Sequence, residues 1–105
     1  MIDAGEWIRS RKPVPPAVLA ERLAATVGDH RCADSAGLAE LLVDEAAKLL
    51  GKLHDDRKGA EDLLVADALI TYAMEAAAED PGQMESVTAR TIEKLAAVSS
   101  RGGQP

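Results

Sequence analysis

The chain has 105 residues, which is enough for one domain with one modest hydrophobic core. Its formal charge is −6, from 12 basic and 18 acidic residues. This balance disfavours binding to nucleic acids or to anionic membrane surfaces, because both need clustered basic side chains. Hydrophobic residues make up 47% and aromatic residues only 2%, so a globular fold must have an aliphatic core. The abundance of Ala, Leu and Glu favours helices over strands.

The sequence also indicates where the protein resides. No stretch approaches the roughly 18 consecutive apolar residues of a transmembrane helix. The N-terminal segment is acidic from Asp3 onward and lacks the positive region and apolar run of a secretory signal. The single cysteine, Cys32, cannot form an intrachain disulfide. We therefore expect a cytoplasmic protein, and the bias toward Ala, Arg and Gly is typical of high-GC bacterial genomes.

Capping residues and prolines mark the first two helices. The pattern that begins at Asp3 is typical of a capping box and predicts a short helix over residues 4–11, which Pro13 ends. A proline-rich connection then leads into a second helix that runs to Val27. Gly28 follows it, as expected for a residue that ends a helix.

Three longer helices follow. The third, over residues 36–53, has a broad leucine-rich face. The fourth, over residues 58–79, is apolar around most of its circumference, so we expect it to be buried on most sides, either at the centre of the fold or against a partner subunit. Asp80 followed by Pro81 is typical of a helix start and predicts a fifth helix that runs to residue 98.

These elements predict an all-α fold. Short connections favour antiparallel neighbours, so we expect an antiparallel up-down bundle of four main helices, preceded by a short N-terminal helix. The bundle should form a single domain over residues 1–98. Residues 99–105 are rich in Ser and Gly and should form a flexible C-terminal tail.

One candidate chemical site is the loop that contains His30 and Cys32, with Asp29 and Asp34 nearby. Histidine and cysteine at close spacing are zinc ligands, and a helix N-terminus can activate a thiol. The loop lacks a full set of zinc ligands, however, so we interpret it as a connection that ends one helix and caps the next. A reactive Cys32 is the alternative.

A second candidate is the turn His54-Asp55-Asp56. An imidazole beside two carboxylates could bind a divalent cation or perform acid–base chemistry. The alternative is that this turn has only a structural role. In that case His54 follows a helix C-terminus and the two aspartates cap the next helix. The intervening helix should be roughly 27 Å long, so His30 and His54 should lie at opposite ends of the bundle and cannot form one site.

Charged side chains elsewhere allow two further interpretations. A basic run, Arg9, Arg11 and Lys12, should lie at the same end of the bundle as Asp55 and Asp56. These basic side chains could pair with the acidic turn, remain solvated, or form a small anion site. A polar stripe on the fourth helix consists of Asp67, Thr71, Glu75 and Glu79. We expect this stripe to be the solvent-exposed face. If the N-terminal segment covered it instead, its first carboxylate would need an arginine partner.

Four apolar or aromatic residues are candidates for the core or for an interface: Trp7, Leu69, Tyr72 and Met74. Trp7 should anchor the short first helix, or else act as an exposed recognition residue. The alanine-rich fourth helix permits close helix approach, and a second copy of the chain should contact it, so we expect a homodimer.

The sequence assembles no nucleophile, general base and oxyanion donor, and it indicates neither a cofactor nor a metal centre. We therefore expect a non-catalytic, self-associating protein-interaction module. The alternative is a small-molecule or divalent-cation-binding helical protein with its site at His54-Asp55-Asp56.

Overall fold

The computed structural model describes residues 1–52 and 57–102, with side chains described for 1–52 and 58–98. These residues form five helices and one pair of very short strands. In chain order the elements are β1 Ile2–Asp3, α1 Ala4–Arg9, α2 Ala17–Val27, β2 Arg31–Cys32, α3 Ser35–Leu50, α4 Arg57–Ala78 and α5 Pro81–Gly102. The predicted all-α class is confirmed. No helix in the described ranges combines the length and apolarity needed to cross a bilayer.

Local capping signals set the helix ends. Oδ1 of Asp3 accepts a hydrogen bond from the Glu6 backbone N–H at 3.1 Å, as a helix cap requires. Gly28 ends α2 with a φ of +56°, in the region that favours glycine. The fifth helix begins at Pro81 as predicted, but it continues to Gly102, beyond the predicted end at residue 98. Residues 103–105 lie outside the described part of the chain.

The strand pair was not predicted. Ile2 lies opposite Cys32 and Asp3 lies opposite Arg31, in antiparallel register. The backbone N–H of Ala4 also donates to the carbonyl of His30 at 3.0 Å. These bonds tie the N-terminus to the connection between α2 and α3, and so they fix the position at which α1 begins.

The core is a close-packed set of aliphatic side chains centred on α3 and α4. Its largest fully buried members are Leu23, Leu38, Leu42, Leu69, Val27, Val43 and Val65. Six buried alanines, Ala39, Ala46, Ala66, Ala73, Ala76 and Ala77, lie among them on the same two helices. Because alanine side chains are small, α3 and α4 can pack closely along their lengths. Helix α5 packs on both, and α2 packs on α4 and α3, whereas α2 and α5 form no extensive contact within the described residues.

Ion pairs join the outer helices to this centre. On one side Arg22 of α2 contacts Asp62 of α4, whose carboxylate lies in the core with only 4% of the residue exposed. On the other side Arg90 of α5 lies 2.9 Å from Glu40 of α3. One turn further along both helices, Lys94 of α5 contacts Asp44 of α3. From the first pair to the second, the residue number rises by four on both helices, so α3 and α5 run in the same direction.

These two kinds of ion pair should differ in their effect on stability. Arg22→Met leaves the buried Asp62 carboxylate without its cation, and we expect the free energy of unfolding to fall by about 2–3 kcal/mol. The matched control Arg90→Met removes a solvent-exposed pair and should cost about 0–1 kcal/mol. Urea denaturation followed by circular dichroism measures both. Equal losses in the two variants would show that Asp62 does not depend on Arg22.

Candidate functional site

The side chain of Trp7, on α1, contacts three residues outside this helix. Its indole N–H donates to Oε2 of Glu79, at the end of α4, with a distance of 2.9 Å. Its ring meets that of Tyr72 edge to face, with centroids 6.2 Å apart. The guanidinium carbon of Arg11 lies 3.9 Å from the centroid of the Trp7 ring, which is a cation–π contact. We call these four residues the Trp7 cluster; it anchors α1 to the C-terminal end of α4.

Within the Trp7 cluster, the polar groups of Trp7, Arg11 and Glu79 contact one another. The Glu79 carboxylate accepts from Trp7, lies 3.8 Å from Nη1 of Arg11, and is 3.5 Å from the hydroxyl of Ser35. Burial raises the pKa of Tyr72, the charge of Glu75 raises it further, and Arg11 lowers it in part, so the phenol stays protonated near neutral pH. The cluster therefore holds α1 and the segment that follows it against the end of α4.

Arg11 corrects one expectation from the sequence. It was expected at the end of the bundle that holds Asp55 and Asp56, whereas it contacts Glu79 at the opposite end of α4. The reason is the β1–β2 pair, which holds the start of α1 beside the connection between α2 and α3. Asp55 and Asp56 lie outside the described residues, as does His54. Cation binding at that turn stays a prediction.

The other candidate anchors on α4 pack inward. Leu69 is completely buried, and Tyr72 and Met74 are partly buried against the same core. Trp7 is 8% exposed. Within one chain all four side chains therefore contribute to packing, and none offers a large free surface to a partner.

The loop with His30 and Cys32 contains the second strand. Burial raises the pKa of the Cys32 thiol, and the negative charge of Asp34 raises it further, which disfavours the reactive thiolate. Nδ1 of His30 lies 2.6 Å from the carbonyl oxygen of Val27, so one ring nitrogen has a partner within the loop. Across residues 1–52 and 57–102, no three His, Cys, Asp or Glu side chains are grouped so that they could hold a metal ion.

One face of α4 remains open to solvent, and we call it the outer face of α4. It consists of Ala60, Leu63, Leu64, Asp67, Thr71 and Glu75, which recur at helical spacing and are all exposed. The polar stripe that was predicted to face solvent is exposed at Asp67, Thr71 and Glu75. Its fourth residue, Glu79, is also exposed, but Trp7 and Arg11 of the N-terminal segment contact it. Leu63 and Leu64 are 51% and 63% exposed in the single chain, so these two residues of α4 are not covered within one copy. Burial against a partner subunit, the other expectation for α4, stays a prediction. The first half of the outer face is thus apolar and the second half is polar and acidic.

Comparison of the chain with protein-family models, with curated proteins and with solved structures finds no match.

The contribution of the Trp7 cluster can be measured directly, because Trp7 is the only tryptophan in the sequence. Glu79→Gln removes the charge that Trp7 and Arg11 share, and we expect the free energy of unfolding to fall by about 0.5–1.5 kcal/mol. The matched control Glu75→Gln changes an exposed residue of α4, one turn before Glu79, and should cost less than about 0.5 kcal/mol. Urea denaturation followed by tryptophan fluorescence measures both. If the two variants lose the same stability, Glu79 does not anchor α1.

Proposed function

We propose that the chain is a non-catalytic cytoplasmic protein-interaction module that associates with itself as a homodimer through the outer face of α4. The observation that carries this proposal is the exposure of Leu63 and Leu64, side by side on a helix whose other leucine, Leu69, is fully buried. Burying a leucine contributes about 1.5–3 kcal/mol, and a two-fold dimer would bury both residues twice. Contiguous exposed apolar side chains are typical of interaction sites.

Charge on the outer face of α4 favours one arrangement of the two copies. Asp67 and Glu75 follow the leucines toward the C-terminal end of the helix. If two α4 helices packed in parallel, the acidic halves would lie against each other and repel. An antiparallel crossing centred on Leu63 and Leu64 places the acidic halves at opposite ends, where they stay solvated. This crossing has the two-fold symmetry of the commonest dimers.

Within each copy, the proposal includes the up-down order of the four long helices, α2 to α5. The connection between α4 and α5 has only two residues, 79 and 80, which favours antiparallel packing of those helices. The shared direction of α3 and α5 agrees with alternating directions along the chain. In this arrangement the outer face of α4 remains available to a second copy.

The polar chemistry of the described residues supports a non-catalytic role. The carboxylates of Asp62 and Glu79 are each paired with an arginine from a distant part of the chain, and these pairs hold separate segments together. The Cys32 thiol is held in its protonated form by burial and by Asp34. Groups used in this way stabilise the fold, whereas a catalytic site needs a nucleophile or base left free to react.

The oligomeric state tests the proposal. Native mass spectrometry and sedimentation equilibrium of the untagged full chain should show a homodimer. Leu64→Lys keeps helix propensity and places a charge in the proposed interface, so the dissociation constant of the dimer should rise by at least about a hundredfold while the monomer stays folded.

The matched control is Ile92→Lys, which changes a side chain that is 63% exposed on α5, outside the proposed interface. It should leave the dimer unchanged. A wild-type chain that is monomeric, or a Leu64→Lys variant that dimerises as tightly as the wild type, would contradict the proposal.

A further inference from the structure

A cavity of about 300 Å³ lies between α1, the connection that follows it and α2. Ile8 lines it from α1, Val14 and Pro15 from the connection, and Ala20 and Ala24 from α2. The wall is almost entirely apolar, and among the described residues that line it a single arginine is charged. An apolar pocket with one convergent polar group is typical of a small-molecule site. This site shares no residue with the outer face of α4.

That arginine is Arg9, and its contacts differ from those of Arg11 and Arg22. Arg11 and Arg22 are held by acidic side chains, whereas Arg9 forms no ion pair with any residue that the structure describes. Gly5, one turn earlier on α1, leaves room for the guanidinium: a Cβ at Gly5 would lie 3.3 Å from Nη1 of Arg9. Since the wall itself is almost entirely apolar, the guanidinium lies beside Gly5 at the edge of the cavity, where the exposed Arg9 side chain can contact an anion.

We propose that this cavity binds a small amphiphilic carboxylate, with its aliphatic body between α1 and α2 and its carboxylate on Arg9. A guanidinium matches the geometry of a carboxylate and can donate two hydrogen bonds to it. The ligand carries one negative charge, because Arg9 is the only cation among the described residues of the wall and Asp3 lies beside Gly5, with Oδ1 3.4 Å from the same Cβ position. A dianion such as a phosphate monoester would be repelled by Asp3.

The size of the cavity indicates the size of the ligand. At roughly 30 Å³ per water-sized group, 300 Å³ holds about ten heavy atoms. An eight-carbon straight-chain carboxylate, octanoate, fits this count. The cavity is open to solvent beside the exposed Val14, so the carboxylate of the ligand can stay partly hydrated while it contacts Arg9.

Titration of the full chain with octanoate, by isothermal calorimetry or by amide chemical shifts, tests the site. We expect saturable one-to-one binding with a dissociation constant of roughly 0.1–1 mM. Octan-1-ol has the same chain without the charge and should bind at least about tenfold more weakly. Arg9→Gln should weaken octanoate binding by about tenfold, and the matched control Lys12→Gln, which removes a charge outside the cavity wall, should leave it unchanged.

A second pair of variants tests the apolar half of the site. Ala24→Leu fills the cavity and should abolish octanoate binding, whereas Ala25→Leu, at the neighbouring exposed position of α2, should not. Since Arg9 is exposed, its variant folds even if Ala24→Leu does not. The proposal is overturned if octanoate does not saturate the protein, if octan-1-ol binds equally well, or if Arg9→Gln binds octanoate as the wild type does.

Discussion

The rest of the structure depends on the close packing of α3 against α4. With aromatic residues at 2% of the sequence, this chain cannot fill its interior with rings, so leucine, valine and alanine must fill it. Small side chains give a dense core only where the helices approach closely. Alanines such as Ala46 and Ala73 permit that approach, while Leu42 and Leu69 provide most of the buried apolar volume. The outer helices then attach to this pair from different sides.

The small side chains of the core affect two other parts of the structure, namely α1 and the outer face of α4. The short α1 contributes Ala4, Trp7 and Ile8 to the core, and the Trp7 cluster and the β1–β2 pair fix its position further. The space left between α1 and α2 is the cavity lined by Arg9. At the same time, the core has room for only one side of α4, so Leu63 and Leu64 remain outside it. The two proposed binding surfaces thus follow from the same shortage of large core side chains.

Local signals made the helices predictable, whereas contacts between distant residues were not. The cap at Asp3 and the stop at Gly28 act on adjacent backbone, so the sequence indicates them directly. The Arg22–Asp62 pair and the strand pair join segments far apart in sequence, and neither strand is long enough to show an alternating pattern. Periodicity correctly assigned the polar stripe of α4 to solvent. Periodicity could not show that Leu63 is exposed in the single chain. The sequence pattern of an apolar residue is identical whether its own chain or a second copy covers it.

In the proposed homodimer, two copies of this chain meet at the outer face of α4. The most direct measurement is an isotope-filtered nuclear Overhauser experiment on a mixture of ¹³C-labelled and unlabelled chains, which detects only contacts between copies. We expect contacts between the methyl groups of Leu63 and Leu64 in one copy and the same residues in the other. Contacts confined to other exposed methyl groups, such as those of Val18 or Ile92, or no contacts between copies at all, would contradict it.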